Sequence, residues 1–196
     1  MFANRFTAFV DACSLVPTLN RNLLLSLAEA DFFRVRWSER LLDETEAAIV
    51  KIAAAKAIPD ASDRARRART AMERAFPDAM VTGYQPLAAG LIGLPDPDDA
   101  HVIAAAIKTR ASVIVTENLK DFPETVLAPL DMEAKSADEF IADTIGLDPG
   151  RAVAAVRQMR QRLKMPSKTG EMLLLDMEAA GLTQTVDALR EHVLSL

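Results

Sequence analysis

The sequence LPDPDDAHVIAAAIKTRASVIVTENLKDFP, residues 94–123, decides the fold because it joins a helix, a strand and several acids. Asp96 is a residue type that caps helices, and Pro97 suits the first helical position. Apolar residues then recur at helical spacing, at Val102, Ile103, Ala106 and Ile107. Residues 112–115 read SVIV, which is typical of a short buried strand. The stretch therefore predicts a helix that leads into a strand of a sheet.

The acids at the start of this helix are not equivalent. At roughly 100° per residue, Asp99 projects onto the centre of the apolar stripe. Asp96 and Asp98 are explained by capping and by the helix dipole, which stabilises acids at a helix start. His101 falls on the face opposite to the stripe, so we expect it in solvent. Asp99 is therefore the acid for which a function is expected.

The composition predicts one compact domain with an appendage. The chain has 196 residues, of which 50% are hydrophobic, enough for a substantial core. Its single cysteine, Cys13, excludes a disulfide framework and fits a reducing compartment, so we expect a cytoplasmic protein. We interpret Cys13 as a small buried residue, because the two histidines offer it no evident base. No apolar run is long enough to span a membrane.

The net charge of −5 disfavours non-specific binding to nucleic acid. Any contact with RNA must therefore come from a local basic patch. Residues 63–76, DRARRARTAMERAF, form such a patch on a predicted helix, although a solvated helix face is the alternative interpretation. Its candidate phosphate contacts are Arg64, Arg66, Arg67 and Arg69. A second basic strip, which we interpret as a solvated face, contains Arg157, Arg160, Arg162 and Lys164.

Short apolar segments alternate with amphipathic helices in the first part of the chain. The predicted strands are residues 6–10, 33–37, 112–115 and 132–135, and residues 79–84 form a short strand or a loop. The helix that Ser38 caps has an apolar stripe of Leu41, Leu42, Ala48, Ile49 and Ile52. This alternation predicts an α/β fold with a parallel sheet and helices on both of its faces.

The last part of the chain is helical only. Ser136 begins a capping box, and Asp148-Pro149 repeats the pattern of a cap followed by proline. We therefore divide the chain into a domain of residues 1–147 and a helical C-terminal extension of residues 148–196. The extension has apolar faces of its own, so we expect it to pack against the rest of the protein.

Several acids are expected at one edge of the sheet. Strand ends and helix starts share an edge in a parallel sheet, which brings together Asp11, Asp99 and Asp121. One glutamate of the helix after the second strand should join them, and periodicity alone does not choose between Glu44 and Glu46. Carboxylates without lysine partners indicate a hard cation such as Mg²⁺ or Mn²⁺. Without the ion, their repulsion should raise the pKa of at least one of them.

Two other classes of α/β protein are disfavoured by the segment that follows the first strand. The sequence DACSLVP has no glycine, whereas a dinucleotide-binding turn needs glycines for close backbone approach. A phosphoaspartate hydrolase usually has a second aspartate two residues after the first, and Cys13 occupies that position.

The four motifs FVDACS, SERLLDE, DPDDAHVIAAA and VTENLKDF, taken together, resemble the PIN-domain ribonucleases, in particular the VapC-like toxins. The resemblance covers roughly residues 5–140. It selects Glu44, six residues after Ser38, over Glu46. The resemblance implies catalytic, metal-binding acids at Asp11, Glu44, Asp99 and Asp121. It implies supporting polar residues at Ser14, Thr116 and Asn118. Asn118 stands in place of an acid, so either Asn118 or Asp121 reaches the metal.

The resemblance also implies an activity and partners. The expected activity is cleavage of RNA that depends on Mg²⁺ (or Mn²⁺), by the toxin of a toxin–antitoxin pair. The expected partners are the RNA substrate, a small antitoxin protein and, as one candidate assembly, a second copy of the chain, with no membrane. Two alternatives stay open: a catalytically silent PIN-like module that binds a partner or RNA, and a metal-dependent DNA nuclease or phosphatase with the same site.

Overall fold

The computed structural model describes residues 6–91, 93–164 and 166–196, so the first five residues of the predicted domain of residues 1–147 lie outside the described ranges. The strands are β1 (Thr7–Val10), β2 (Arg34–Ser38), β3 (Met80–Val81), β4 (Val113–Val115) and β5 (Glu133–Lys135). All the pairs are parallel, in the order β3-β2-β1-β4-β5. The predicted α/β fold with a parallel sheet is therefore confirmed.

Helices follow the strands and also form the C-terminal part of the chain. In the part preceding β5 they are α1 (Ala12–Leu15), α2 (Thr18–Glu29), α3 (Glu39–Ala55), α4 (Ala61–Ala75), α5 (Gln85–Ala88), α6 (Ala100–Thr109) and α7 (Glu124–Leu127). After β5 they are α8 (Ala137–Leu147), α9 (Pro149–Arg162), α10 (Gly170–Ala179) and α11 (Thr183–Leu189). None of the helices in the described ranges is long and apolar enough to cross a membrane.

The helix starts follow from the capping residues in the sequence. The hydroxyl of Ser38 accepts a hydrogen bond from the N–H of Leu41 at 3.2 Å, which caps α3. Ser136 caps α8 in the same way, and the carboxylate of Asp148 caps α9. The caps predicted at Ser38, Ser136 and Asp148 are confirmed, whereas Asp96 caps a 3₁₀ turn that precedes α6.

The strand order brings the ends of β1 and β4 side by side in the middle of the sheet. Phe9 of β1 lies opposite Ile114 of β4, and both side chains are fully buried. The ladder continues by one bond, since the N–H of Asp11 donates to the carbonyl oxygen of Val115 at 2.9 Å. The chain segments that leave β1 and β4 are therefore neighbours at the carboxyl edge.

The prediction of a buried apolar stripe along α3 is wrong at the C-terminal end of the helix. Leu41 and Leu42 are buried, but Ile52 is 44% exposed. The helix has 17 residues, or about 25 Å at the rise of an α-helix, and it contacts both β2 and α4. In its last turns Ala53 is buried.

Arg69 of α4 joins the two helices. Its guanidinium contacts Asp43, lies 3.5 Å from Glu46 and 4.0 Å from Glu39 on α3, and lies 3.1 Å from Glu73 on its own helix. The hydrogen bond with Asp43 raises the pKa of the guanidinium above its usual value. Because these carboxylates already neutralise its charge, the structure disfavours Arg69 as a phosphate contact.

We expect Arg69→Gln to destabilise the protein. The change removes a network of ion pairs between α3 and α4 and leaves repelling carboxylates, which should lower the free energy of unfolding by about 1 kcal/mol after allowance for solvent screening. The matched control is Arg67→Gln, at an exposed position on the same helix. A denaturant titration of both variants measures the difference. Equal losses of unfolding free energy would contradict a stabilising role for the ion pairs of Arg69.

The C-terminal helices pack against the sheet domain, as expected. Arg162 of α9 forms two hydrogen bonds with the carboxylate of Glu29 on α2, at 2.6 and 3.0 Å. The carboxylate of Asp138 on α8 accepts hydrogen bonds from the N–H groups of Gln184 and Thr185 at the start of α11. Their buried apolar residues include Leu173, Leu174, Met177, Val186 and Leu189.

The second basic strip lies at the surface, and its arginines are engaged in hydrogen bonds. The guanidinium of Arg157 donates to the carbonyl oxygen of Ser195, and that of Arg160 donates to the carbonyl oxygens of Leu196 and Lys168. Arg157, Arg162 and Lys164 are exposed, so the strip is a solvated face as expected. Its three arginines also hold neighbouring segments together.

Candidate functional site

The side chain of Asp11 is held at the end of β1. Its Oδ1 accepts a hydrogen bond from the N–H of Ala12 at 2.6 Å, and its Oδ2 accepts one from the hydroxyl of Thr116 at 2.7 Å. Thr116 is fully buried and directly follows β4. The carboxylate is therefore fixed from both central strands, and Thr116 has the supporting position that the sequence predicted.

Asp99 lies at the end of the 3₁₀ turn Pro97–Asp99, immediately before α6. Its carboxylate makes no capping hydrogen bond, and Oδ2 is buried without a partner in the described part of the protein. Burial raises the pKa of Asp99 to about 6, and the charges of nearby acids add to the effect. In decreasing order these are Asp11, Asp96, Asp121 and Glu44. The expected raised pKa is found, but burial contributes more to it than the expected repulsion.

Glu44 and Glu46 point to different neighbours. Oε1 of Glu44 accepts a hydrogen bond from Nε of Arg40 at 2.9 Å and lies 3.3 Å from Nε2 of His101. Glu46 instead lies beside Arg69, toward α4. The structure thus brings Glu44, and not Glu46, to the other acids of the edge.

The expected position of His101 in solvent is wrong, because only 6% of the residue is exposed. Helix α6 is buried on every side over residues 101–106, since strands cover part of it and α5 packs against it as well. The preceding 3₁₀ turn also shifts the helical phase from the ideal one. Burial lowers the pKa of His101, and its Nδ1 is a buried atom without a hydrogen-bond partner in the described ranges.

Asn118 and Asp121 lie in the segment that follows β4. The amide Nδ2 of Asn118 donates to Oδ2 of Asp121, and the N–H of Asn118 donates to the hydroxyl of Thr116 at 3.1 Å. Asp121 is near enough to Asp99 to raise its pKa. The two residues therefore act as one hydrogen-bonded unit beside the acids.

Ser14 supports Asp11 through the backbone. Its N–H donates to the carbonyl oxygen of Asp11 at 3.1 Å, which belongs to the first turn of α1. The hydroxyl of Ser14 is buried and has no hydrogen-bond partner among the residues described. The predicted supporting position is therefore near Asp11, although its side chain does not bond to the carboxylate.

Cys13 is part of the site, which the sequence analysis missed. Its thiol donates to Oδ2 of Asp11 at 3.1 Å and accepts the N–H of Glu117 at the same distance. Burial raises the pKa of Cys13 to about 11, and the charge of Asp11 adds to this, so the thiol is neutral at physiological pH. The signal was available, because a residue two positions after a capping aspartate lies in the first turn beside it.

The donor chemistry fits a hard divalent cation. Carboxylate oxygens are the ligands that Mg²⁺ and Mn²⁺ prefer. A bound ion would give a partner to Oδ2 of Asp99, and so relieve the cost of burying this oxygen without a hydrogen bond. As they stand, no three histidine, cysteine, aspartate or glutamate side chains within the described ranges lie close enough together to hold an ion. The acids interact at longer range, as the raised pKa of Asp99 shows.

Comparison with known proteins identifies the class to which the fold and the site belong. The model of a family described as "PIN domain" matches residues 7–120, more than half of the chain, and the chain belongs to this family. A second model, described as "VapC50 C-terminal domain", matches residues 137–191. The resemblance to VapC-like PIN domains is therefore confirmed. Proteins of this family generally depend on divalent metal ions.

One relative is similar over part of its length. The chain is 35% identical over 107 residues to "Putative ribonuclease VapC50" of Mycobacterium tuberculosis (strain ATCC 25618 / H37Rv). The alignment covers 55% of this chain and 62% of the relative, so the chain spans less than two thirds of that protein. No solved structure matches the chain significantly.

We expect Asp99→Asn to raise the melting temperature in chelator at pH 7.5. An acid with a folded pKa of about 6 and an ordinary pKa of 3.8 binds more protons folded than unfolded, so its ionised form costs stability at neutral pH. After allowance for screening, the relief of about 1 kcal/mol corresponds to roughly 2–4 °C.

The pH dependence and a neighbouring variant test the cause of this shift. The cost of ionising Asp99 fades as the pH falls through about 6, so the gain from Asp99→Asn should shrink at pH 5. Asp98→Asn, at an exposed position next in the chain, should change the melting temperature little. Thermal melts at both pH values measure these shifts. A lower melting temperature for Asp99→Asn than for wild type would refute the claim that ionised Asp99 destabilises the protein.

His101→Ala should destabilise the protein, contrary to what a solvent position would give. Truncation of a buried ring leaves a cavity, which should lower the free energy of unfolding. We expect a loss of only about 1–2 kcal/mol, because the truncation also removes the buried Nδ1 that has no hydrogen-bond partner. His192→Ala provides the control, since that ring is 33% exposed. If denaturant melts show the same small loss for both variants, the ring does not contribute to packing.

Proposed function

We propose that this protein is a metal-dependent endoribonuclease, the toxin of a VapBC-like toxin–antitoxin pair. The observation that supports it most is the unpartnered carboxylate oxygen of Asp99 among the charges of Asp11, Asp121 and Glu44, at the carboxyl edge of a PIN-domain sheet. An arrangement that costs stability without a ligand is typical of a site that binds a cation.

The proposed site holds Mg²⁺ (or Mn²⁺) through Asp11, Glu44, Asp99 and Asp121, with Asn118 as the alternative to Asp121. When bound, such an ion activates a water and stabilises negative charge on a phosphodiester. Thr116 orients Asp11 from the neighbouring strand, and Asn118 orients Asp121. Ser14 fixes the backbone turn that carries Asp11. The chain therefore needs no covalent nucleophile, and the neutral thiol of Cys13 is not one.

The proposed RNA contacts are Arg64, Arg66 and Arg67, which are exposed on α4. The pairs of Arg69 with Glu39 and Asp43 hold this helix beside the first turns of α3, where Glu44 lies. Exposed cationic side chains on a helix that packs against α3 suit a polyanionic substrate. The name of the VapC50 relative, a ribonuclease, favours RNA over DNA as the substrate.

The further parts of the proposal concern partners and surroundings. We place the protein in the cytoplasm, restrained by a small antitoxin, with a homodimer as the candidate assembly and a separate function for residues 148–196. The matches to VapC50 and to its C-terminal domain support a VapC-type partner. The acids at the first three positions, Asp11, Glu44 and Asp99, speak against a catalytically silent module.

The proposal predicts cleavage of a structured RNA with Mg²⁺ or Mn²⁺ and none in chelator. Asp11→Asn and Asp99→Asn should each lower the rate by about 100-fold or more, because each removes a charge that holds the ion. Asp187→Asn is the control, since that carboxylate is 75% exposed on α11. Gel assays on labelled RNA measure the rates.

Each alternative has its own outcome in the same assay. Equal cleavage of DNA would favour the DNA nuclease, and release of phosphate from a monoester would favour the phosphatase. RNA that is bound and never cut would favour the silent binding module. Full activity in chelator, or in both aspartate variants, would refute the metal site.

A further inference from the structure

Arg40 is the cation closest to the acids of the site. It lies one helical turn before Glu44 on α3, and its Nε donates to Oε1 of Glu44 at 2.9 Å. One terminal nitrogen of the guanidinium lies 3.5 Å from the carbonyl oxygen of Asp98, next to Asp99. In the described part of the chain, no other arginine or lysine forms an ion pair with one of the four proposed acids.

The pair of Arg40 and Glu44 is easily separated. The side chains are 50% and 39% exposed, and exposed pairs of this spacing contribute little to stability. The guanidinium ends a long side chain that can turn toward solvent without exposing the core. In contrast, His101, whose Nε2 lies 3.3 Å from Oε1 of Glu44, is buried in the core. Arg40 is therefore the mobile neighbour of Glu44.

A divalent cation and Arg40 would compete for the same carboxylate. Oε1 of Glu44 accepts the hydrogen bond from Arg40, so an ion that binds Glu44 through Oε1 or through both oxygens must displace the guanidinium, and an ion at Oε2 alone would still lie beside its charge. The positive charge of Arg40 also repels an ion bound among the acids. Once displaced, the guanidinium stays at the edge of the site, and its planar set of donors matches a phosphate group.

We propose that Arg40 is an exchangeable counter-ion of Glu44: it pairs with Glu44 in the metal-free protein and binds a phosphate of the RNA when the ion takes Glu44. This inference rests on the proposed function. It makes Arg40 a substrate-binding residue that also disfavours metal binding in the absence of RNA. Removal of Arg40 should therefore change the affinities for metal and for RNA in opposite directions.

The first experiment titrates full-length protein with Mn²⁺ in the absence of RNA. Arg40→Gln should bind Mn²⁺ about three- to tenfold more tightly than wild type, because a competitor and a repelling charge are lost. Lys51→Gln is the matched control: it removes one positive charge from an exposed position near the other end of α3 and should change the Kd less than twofold. Arg40→Lys, which keeps the charge, should stay close to wild type.

The second experiment measures RNA cleavage at saturating Mn²⁺. Arg40→Gln should raise KM about tenfold with a smaller effect on kcat, and the salt dependence of kcat/KM should fall by roughly 0.7 to 0.9 in slope, the value for one phosphate contact. Lys51→Gln should leave both quantities unchanged.

The outcomes separate this inference from the proposed function. Weaker Mn²⁺ binding by Arg40→Gln would show that Arg40 merely holds Glu44 in place and would overturn the exchange, as would unchanged binding of both Mn²⁺ and RNA. Wild-type cleavage with an unchanged KM in Arg40→Gln would overturn the phosphate contact while the proposed function stands. Wild-type protein that binds Mn²⁺ and cuts no RNA would overturn the proposed function, whereas the Mn²⁺ titration would still decide the exchange.

Discussion

The hydrogen bond from Thr116 to Asp11 joins the two central strands at the point where both end. It exists because β1 and β4 are adjacent and in parallel register, with Val10 opposite Val115. Each strand supplies one partner, and the N–H of Asp11 extends the same ladder. The position of the first acid is therefore set by the core of the sheet, whose packing leaves it little freedom. Asp99, Glu44 and Asp121 reach this fixed point from helices and turns around it.

The acids of the edge make the protein less stable than its core would allow. Oδ2 of Asp99 is buried without a partner among the described residues, and burial raises the pKa of this carboxyl, so its ionised form is disfavoured at neutral pH. Their neighbours reduce the cost in different ways: Arg40 pairs with Glu44, Asn118 donates to Asp121, and the thiol of Cys13 donates to Asp11. Functional sites commonly combine such repulsion with local compensation.

Local patterns in the sequence predicted much of the fold and the elements that bear the acids, because caps and short apolar strands are decided by neighbouring residues. The buried position of His101 depends on α5 and on a 3₁₀ turn, which a helical wheel does not contain. The exposure of Ile52 depends on which face of the long helix α3 the rest of the protein covers. The pairing of Arg69 depends on how α3 and α4 lie side by side. Such long-range contacts are set by tertiary packing.

Helix α8 contacts both the sheet domain and the C-terminal helix α11. It follows β5 beside the sheet, and its Asp138 caps the start of α11. Loss of α11 would leave this carboxylate without those donors, while loss of α8 would remove the cap from α11. The helices after α8 are therefore coupled to the sheet domain by this side chain as well as by the Arg162–Glu29 pair and the buried apolar residues, and we expect both parts to unfold in one cooperative step. Insertions that tag this protein would be tolerated better at exposed loops than between these helices.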